Sequence, residues 1–399
     1  GGTDFTDHAI GQVSVTKGRR TVYERPNAGY ASAQLIDTEG IPTFRVGDAF
    51  IVSIDRADWL WQNLATSWSS VATTWVNVGD PVFVSQPIFT GTLSDFTSAA
   101  IPAADGPIIT HELQAIGPLA TLNRRAIYSA GRTSENDGER ILNVLNTALG
   151  TASVDPTVVD DGVFDLAAIG TADTGYNALQ VAQDAGFSGE GLLYETADGF
   201  IGYTDANRRL ENERARVIEI PFGVLSAQGI AFLQQLADIT NAVTVEYAGG
   251  AESEEDASSI AEFGRYETEI STQLQNQSNA ENRAREFLLR HAIPSSVFDR
   301  LNFNLLGIDD ELRNQLLELR PSEAVEVNEI PPRIGFTRFR GFVEGFTLTA
   351  NPYETNLTFI VSERRLSIGA ERWQQVIGTI RWTDVDPTLT WANAKEVTT

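Results

Sequence analysis

The stretch from Arg338 to Glu363, RFRGFVEGFTLTANPYETNLTFIVSE, decides the fold class. Phe342, Phe346 and Leu348 share one parity, and Val343, Thr347 and Thr349 share the other. Asn351-Pro352 interrupts the run before Leu357, Phe359 and Val361 resume the alternation. A period of two is the signature of a strand whose faces see different surroundings. Proline presets a negative φ and asparagine bonds its own backbone, so the chain is expected to reverse near Asn351. The stretch predicts a β-hairpin.

The first third of the chain carries a weak copy of this hairpin and its surroundings, in the same order. Residues Ala28 to Ile36 parallel Asn241 to Tyr247, and Val46-Gly47-Asp48 with the following Ala49 to Val52 parallels Arg320 to Val327. In the latter pair a turn bearing a carboxylate precedes a strand. Ile88 to Phe96 then parallels Phe339 to Phe346, and Ile108 to Ile116 parallels Asn356 to Ser362. Four strand-like pieces in one order suggest a β module used twice.

The rest of the chain fills the space around these pieces. Residues 1–120 are expected to form the first β module, with an insertion at about 56–82. Residues 121–215 change period: Asn136 and Glu139 have capping-box spacing, and Ile141, Val144, Leu145, Ala148 and Leu149 mark one helix face. A second helix is expected from about Thr174 to Gly186, followed by a hairpin from Leu192 to Tyr203 with its turn at Asp198-Gly199. This unit reads as a small α+β domain. Residues 216–365 are expected to be the second β module, with a helical insertion at about 251–320. Within it Ser278 and Glu281 have capping-box spacing, Pro294 stops the helix, and Leu312, Leu316 and Leu317 suggest another. The glutamates between Gly249 and Ser259 read as a solvated loop. Residues 366–399 are expected to be a C-terminal arm.

All seven tryptophans fall in two tracts, Trp59, Trp61, Trp68 and Trp75 in the first and Trp373, Trp382 and Trp391 in the arm. Exposed tryptophan suits sugar stacking or a protein contact. Pinning of irregular segments and contact between subunits are the favoured readings of these seven residues.

At 399 residues the chain is long enough for several domains, and 42% hydrophobic content argues for folded structure over disorder. Lys+Arg 29 against Asp+Glu 54 leaves a formal net charge of -25, which repels phosphate backbones. Solubility alone also explains an acidic surface. No run approaches the roughly 18 apolar residues of a membrane span, so stable membrane insertion is not expected. No signal-peptide pattern is present, and export by that route is not expected. Zero cysteines exclude disulfides and thiolate chemistry.

No catalytic constellation emerges. His8, His111 and His291 lie far apart, outside any metal or nucleophile motif, and no glycine-rich phosphate loop sits between a strand and a helix. Asp155, Asp160, Asp161 and Asp165 offer carboxylates for calcium but lack the spacing of a calcium-binding loop. No catalytic residue, cofactor site or metal site is therefore assigned. The basic Lys17-Gly18-Arg19-Arg20 is expected at a subunit interface, with nucleic acid as the weaker reading.

These residues resemble the tail hub proteins of tailed bacteriophages, also called baseplate hub or minor tail proteins, of the type found in siphophages of actinobacteria. The carriers are Val13 to Arg20 followed by Gly29 to Asp37, then Phe89-Thr90-Gly91, Gly138 to Leu142 and Gly191 to Tyr203. Further carriers are Asp238 to Asn241, Ser259-Ile260 with Phe263-Gly264, and Phe342 to Gly345. Each is short, and their order and spacing carry the likeness. The resemblance implies a mainly β, multi-domain chain with two related β-barrel hub modules, α+β insertions and no enzymatic activity. It implies a homotrimer at the distal tail tip of the virion that adapts a sixfold tube to threefold components and opens a channel for DNA. The implied partners are the distal tail protein, the tape measure protein and receptor-binding fibres or other minor tail proteins, with DNA only in transit. A hexameric distal tail adaptor is the alternative in the same particle. A secreted carbohydrate-binding protein or glycan hydrolase is the alternative from another class.

Overall fold

A computed structural model describes residues 9–20, 24–37, 44–58, 82–102, 107–128, 132–170, 175–226, 230–233, 239–293, 297–334 and 337–364. The chain opens with five strands, β1 (Ala9–Gly18), β2 (Asn27–Asp37), β3 (Ala49–Asp58), β4 (Val82–Ile101) and β5 (Ile108–Ile116). A helical stretch follows: α1 (Pro118–Asn123), the two-residue strands β6 (Ala126–Ile127) and β7 (Glu135–Asn136), then α2 (Asp137–Leu149). The short β8 (Asp165–Leu166) and β9 (Tyr176–Asn177) precede α3 (Ala178–Ser188), and β10 (Leu192–Glu195) and β11 (Ile201–Thr204) form a hairpin. Then come α4 (Arg208–Ala215), β12 (Val217–Pro221), β13 (Ile230–Leu233), β14 (Ala242–Tyr247), β15 (Gly250–Glu255), α5 (Ala257–Phe263), β16 (Glu267–Ser271) and α6 (Gln277–His291). The chain closes with β17 (Val297–Asn304), α7 (Asp310–Glu318), β18 (Ala324–Asn328), β19 (Phe339–Asn351) and β20 (Glu354–Glu363).

The hairpin predicted from 338–363 is β19 and β20. Asn351 pairs with Glu354, and its side-chain oxygen accepts from the backbone N–H groups of Tyr353 at 2.8 Å and Glu354 at 3.0 Å. The turn forms because asparagine supplies an acceptor where the backbone has none to spare. Phe342 and Phe359 are fully buried, each worth roughly 1.5–3 kcal/mol relative to exposure.

One 11-stranded sheet carries most of the strands, in the order β13-β17-β20-β19-β1-β2-β5-β4-β3, with β18 on β19 and β12 on β18. Two separate closed barrels are therefore corrected: among the described residues the sheet is open at both ends. The link between its halves is β1, whose two edges pair with β2 and β19, so the backbone groups of one half are satisfied by the other.

The two halves are paired in matching registers. Ala49↔Thr92, Phe50↔Gly91, Ile51↔Thr90 and Val52↔Phe89 run beside Ala324↔Phe342, Val325↔Gly341, Glu326↔Arg340 and Val327↔Phe339. Between β4 and β5 the register slips at Leu93/Asp95, and between β19 and β20 it slips at Val343/Gly345. The turns leading into β3 and β18 match bond for bond. Gly47 N–H donates to the Leu93 carbonyl and Ser322 N–H to the Val343 carbonyl, each at 2.8 Å, and both residues have positive φ. Arg45 N–H donates to the Asp48 carboxylate at 3.0 Å, as Arg320 N–H does to Glu323 at 2.9 Å. The parallel of 28–36 with 241–247 does not share this geometry. β14 lies with β15 and β16 in a separate three-stranded sheet, and the strand beside β20 is β17.

Two large hydrophobic cores result, beside a small cluster of Leu35, Leu93 and Leu113. One unites both halves of the large sheet, with Val15, Phe89 and Ala115 packing together with Leu301, Phe303, Val343, Leu348 and Phe359. The other surrounds α2 and α3 and takes in Val243, Val245, Ala284 and Leu288. Helix α2 has its capping box at Asn136 and Glu139, as the spacing predicts. The second box does not form: Asn276 is the N-cap of α6, which puts Ser278 inside the first turn. Helix α3 starts at Ala178, later than expected, because the Asn177 side chain accepts from Gln180 N–H. Residues 250–255 are a strand instead of a loop, edge-paired to β14, with Glu252 and Glu254 half-buried opposite Val245 and Val243 and Glu255 exposed. No helix among the described residues is long and apolar enough to cross a membrane.

Candidate assembly site at the module junction

The basic motif at 17–20 supplies two deeply buried side chains, Lys17 and Arg19, whereas Arg20 is exposed. In the antiparallel pairing of β1 with β19, Lys17 sits opposite Phe346 and Gly18 opposite Gly345. Gly18 has φ +94°, and a β-carbon there would overlap the Glu344 carbonyl and the Gly345 backbone. Glycine is needed at both positions because the two backbones come together without room for side chains. The residues on either side then turn inward. Lys17 and Arg19 are 6% and 7% exposed, so the expectation of a basic surface at a subunit interface is corrected to an internal clasp.

Glu344 is the centre of that clasp. It is the residue left over at the β19 slip, and its carboxylate is fully buried. It accepts from Arg19 Nε and from an Arg209 guanidinium nitrogen, each at 2.7 Å, and from the Ser362 hydroxyl. Burial alone would raise the Glu344 pKa, but the two guanidinium groups hold it below the usual carboxylate range. Arg209, on α4, is pulled below the usual arginine value by burial and lies over the Phe342 ring at 5.6 Å. Three elements distant in sequence thus converge on one carboxylate.

The second buried carboxylate is Glu195, at the end of β10. It accepts from Gly29 N–H at 3.0 Å and Leu119 N–H at 2.9 Å, which ties the α+β unit to β2 and α1. Lys17 Nζ donates to the Thr196 carbonyl at 2.8 Å and sits 5.4 Å from the Phe89 ring centre. Burial pushes Lys17 down to about 8, against the pull of Glu195 and Asp198, and raises Glu195. Sequence reading noted Lys17 and Arg19 but not Glu195, Arg209 or Glu344 as their partners. The available signal was Glu344 itself, a carboxylate on the buried parity of Phe342 and Phe346.

Other candidate groups are dispersed. Asp155 bonds Thr157 N–H, Asp160 pairs with Arg208, and Asp165 accepts from Asn276 at 3.1 Å. No group of three or more metal-ligating side chains is present among the described residues. His111 lies 2.7 Å from the Ser98 hydroxyl, His291 stacks 4.2 Å from Phe287, and His8 is outside the described residues. Trp59, Trp61, Trp68, Trp75, Trp373, Trp382 and Trp391 are also outside them.

The two ends of the sheet carry the remaining pairing capacity. In β19 the edge at residues 345–350 is taken by β1; in β4 the corresponding edge at 95–100 has no partner strand among the described residues. At the other end β13 pairs only with β17 among the described residues. Open edges of this kind invite pairing with another chain.

No family model matches the chain, and no curated protein matches it. Solved structures do. The chain superposes on a 43 kDa tail protein from prophage MuSo2 of Shewanella oneidensis with a TM-score of 0.56 and 12% identity, covering 91% of this chain and 96% of that one. It superposes on a tail protein from Neisseria meningitidis MC58 with a TM-score of 0.56 and 9% identity, covering 90% of this chain and 98% of that one. The mainly β architecture described above is therefore similar to the fold of these two tail proteins.

Proposed function

We propose that this chain is a structural virion protein of a tailed bacteriophage, a trimeric hub at the distal tip of the tail. The observation that carries the reading is the clasp between β1 and β19 together with its unused counterpart. We read the matched registers, slips and turns as one β module present twice, β1-β2-β3-β4-β5 and β13-β17-β18-β19-β20. The first strand of module one fills the edge of β19 in module two. By the same rule β13 of one copy fills residues 95–100 of β4 in the next. A head-to-tail contact of this kind closes into a ring if the rotation suits, and such a ring leaves neither β13 nor the 95–100 edge of β4 unpaired. Three chains then present six similar modules, suited to a sixfold tail tube on one side and threefold tip components on the other. The fold shared with two tail proteins supports this placement.

The expected neighbours are the distal tail protein, the tape measure protein and receptor-binding fibres or other minor tail proteins. A net charge of -25 suits a channel that DNA crosses without sticking. Native mass measurement of the assembled protein tests the reading. Three copies of the 43.5 kDa chain are expected. Six copies would replace the hub with a hexameric distal tail adaptor, and a stable monomer that binds glycans would overturn both.

A further inference from the structure

We propose that the face of the large sheet turned away from its core lines the channel of the ring, and that duplex DNA in transit is the partner this face meets. The inference rests on the ring reading above and assigns the channel wall within it.

Alternation gives the sheet two faces of different chemistry. Val15, Ala31, Phe303, Leu348 and Leu357 point into the large core. Their neighbours along each strand point the other way, and strand pairing sets those neighbours in rows. One row runs from Asn302 through Thr358 and Thr347 to Thr16, then on to Tyr30 and Ile116. The next runs from Asn304 through Asn356 and Thr349 to Ser14, then on to Ser32 and Gln114. Side chains touch along the rows: the Thr358 hydroxyl donates to Asn302 Oδ1 at 2.9 Å, and the Thr16 and Thr347 hydroxyls lie 3.4 Å apart. Thr16, Tyr30 and Gln114 are exposed. From β17 to β5 neither row carries a charged side chain, in a chain of which 21% is charged and whose net charge is -25.

Such a face suits a polyanion that has to move. A lysine or arginine there would displace counterions from the phosphates and hold the duplex, and a carboxylate would repel it. Hydroxyl and amide groups keep a layer of water and do neither.

Dimensions select the same face. Eight strands of each copy stand side by side in the order β13-β17-β20-β19-β1-β2-β5-β4. At a spacing of about 4.8 Å, three copies make a wall about 115 Å round, or about 37 Å across between backbones, and strand tilt widens it. With the polar face inward, only short side chains project into that width. The other face carries β12, β18 and α7, whose Ile220, Val327 and Leu316 belong to the core. A second layer about 10 Å deep on each side would leave about 17 Å. That is too little, once its own side chains are counted, for a duplex whose grooves alone are about 8.5 and 7.5 Å deep.

The chain has no native cysteine, so a single introduced thiol reports its position without background. Thr16→Cys and Thr349→Cys are made one at a time in the full chain, with Glu311→Cys on α7 as the exposed reference for the opposite side, and the native mass of each is measured. In the trimer a small maleimide is expected to label all three. A maleimide on a large polyethylene-glycol chain is expected to label Glu311→Cys and to lose Thr16→Cys and Thr349→Cys. Labelling of the wall positions by the large reagent puts the face outside the ring and overturns the proposal. Exclusion of both reagents buries the face between subunits and overturns it as well. The partner is tested with Thr16→Lys and Thr349→Lys together, or with Thr16→Lys alone where the pair does not form a trimer. The native trimer is expected to release duplex DNA, and the lysine variant to retain a linear duplex in a salt-dependent manner but not a covalently closed circle, which cannot thread a ring. Retention of both forms, or of neither, overturns the assignment of a duplex to this face. A native chain that is a monomer by mass removes the ring reading and this proposal with it, whereas a trimer that fails the labelling test leaves the ring standing.

Discussion

Glu344 illustrates how a buried charge is tolerated when both carboxylate oxygens meet donors. Its oxygens meet two guanidinium groups and a hydroxyl, so removing the carboxylate charge strands two buried cations. Glu344→Gln is expected to cost about 3–5 kcal/mol, the range for breaking a buried ion pair, read as a fall in the denaturant midpoint. Glu344 is depressed in the folded state, so its contribution is present above the ordinary carboxylate pKa and is lost as pH falls through the folded value. Lys17 works in the opposite sense. Burial lowers it from 10.5 to about 8, so the unfolded chain binds the proton more tightly and stability rises with pH across that window. The gain is at most about 3 kcal/mol at 1.36 kcal/mol per pKa unit. A pH series of unfolding midpoints should show this rise in the native chain and lose it in Lys17→Met. A flat native profile would contradict the burial argument.

At the scale of elements, β4 and β19 repeat one local solution. In each, a glycine beside a phenylalanine two residues earlier lets the ring fold back over the backbone. A β-carbon at Gly91 would overlap Phe89 and the Ile116 carbonyl, and one at Gly341 would overlap Phe339 and the Ser362 carbonyl. Aromatic cover of a strand glycine fixes register on both sides of the slip that follows. Gly91→Ala and Gly341→Ala are therefore each expected to destabilise by about 1–3 kcal/mol, the usual cost of overpacking. The two values should be similar, as measured by chemical denaturation. A large cost at one site and none at the other would show that the two halves do not share this packing. The helices follow a different logic: Arg283 on α6 donates to the carbonyls of Phe187 at 2.8 Å and Ser188 at 2.7 Å, closing the C-terminal end of α3.

For the whole molecule, the continuous sheet replaces two independent barrels with one mechanical unit. A single core spans both halves, so load applied at one module is carried directly to the other. Among the described residues, β13, the 95–100 edge of β4, β3 and β12 each keep one edge without a partner strand.

The amino-acid sequence by itself determined the local elements whose signals are short in range. The period of two around Asn351, the Asn136–Glu139 capping box and the Leu192–Tyr203 hairpin each depend on residues within a few positions of one another, and each formed as expected. The shared turns at Gly47 and Ser322 were legible for the same reason. Ser278 failed as a cap because Asn276, two residues earlier, took the N-cap position and left it inside the helix. Tertiary structure alone decided which strand lies beside β20, that β1 joins the two halves, and that Lys17 and Arg19 point inward. Those outcomes depend on partners far apart in the chain, from Asn304 with Asn356 beside β20 to Gly29 with Glu195 and Thr16 with Thr347. Alternation gives a strand two faces but does not name its neighbour. Only the packed chain, by satisfying buried charges and open backbone groups together, selects among the strands that could have paired.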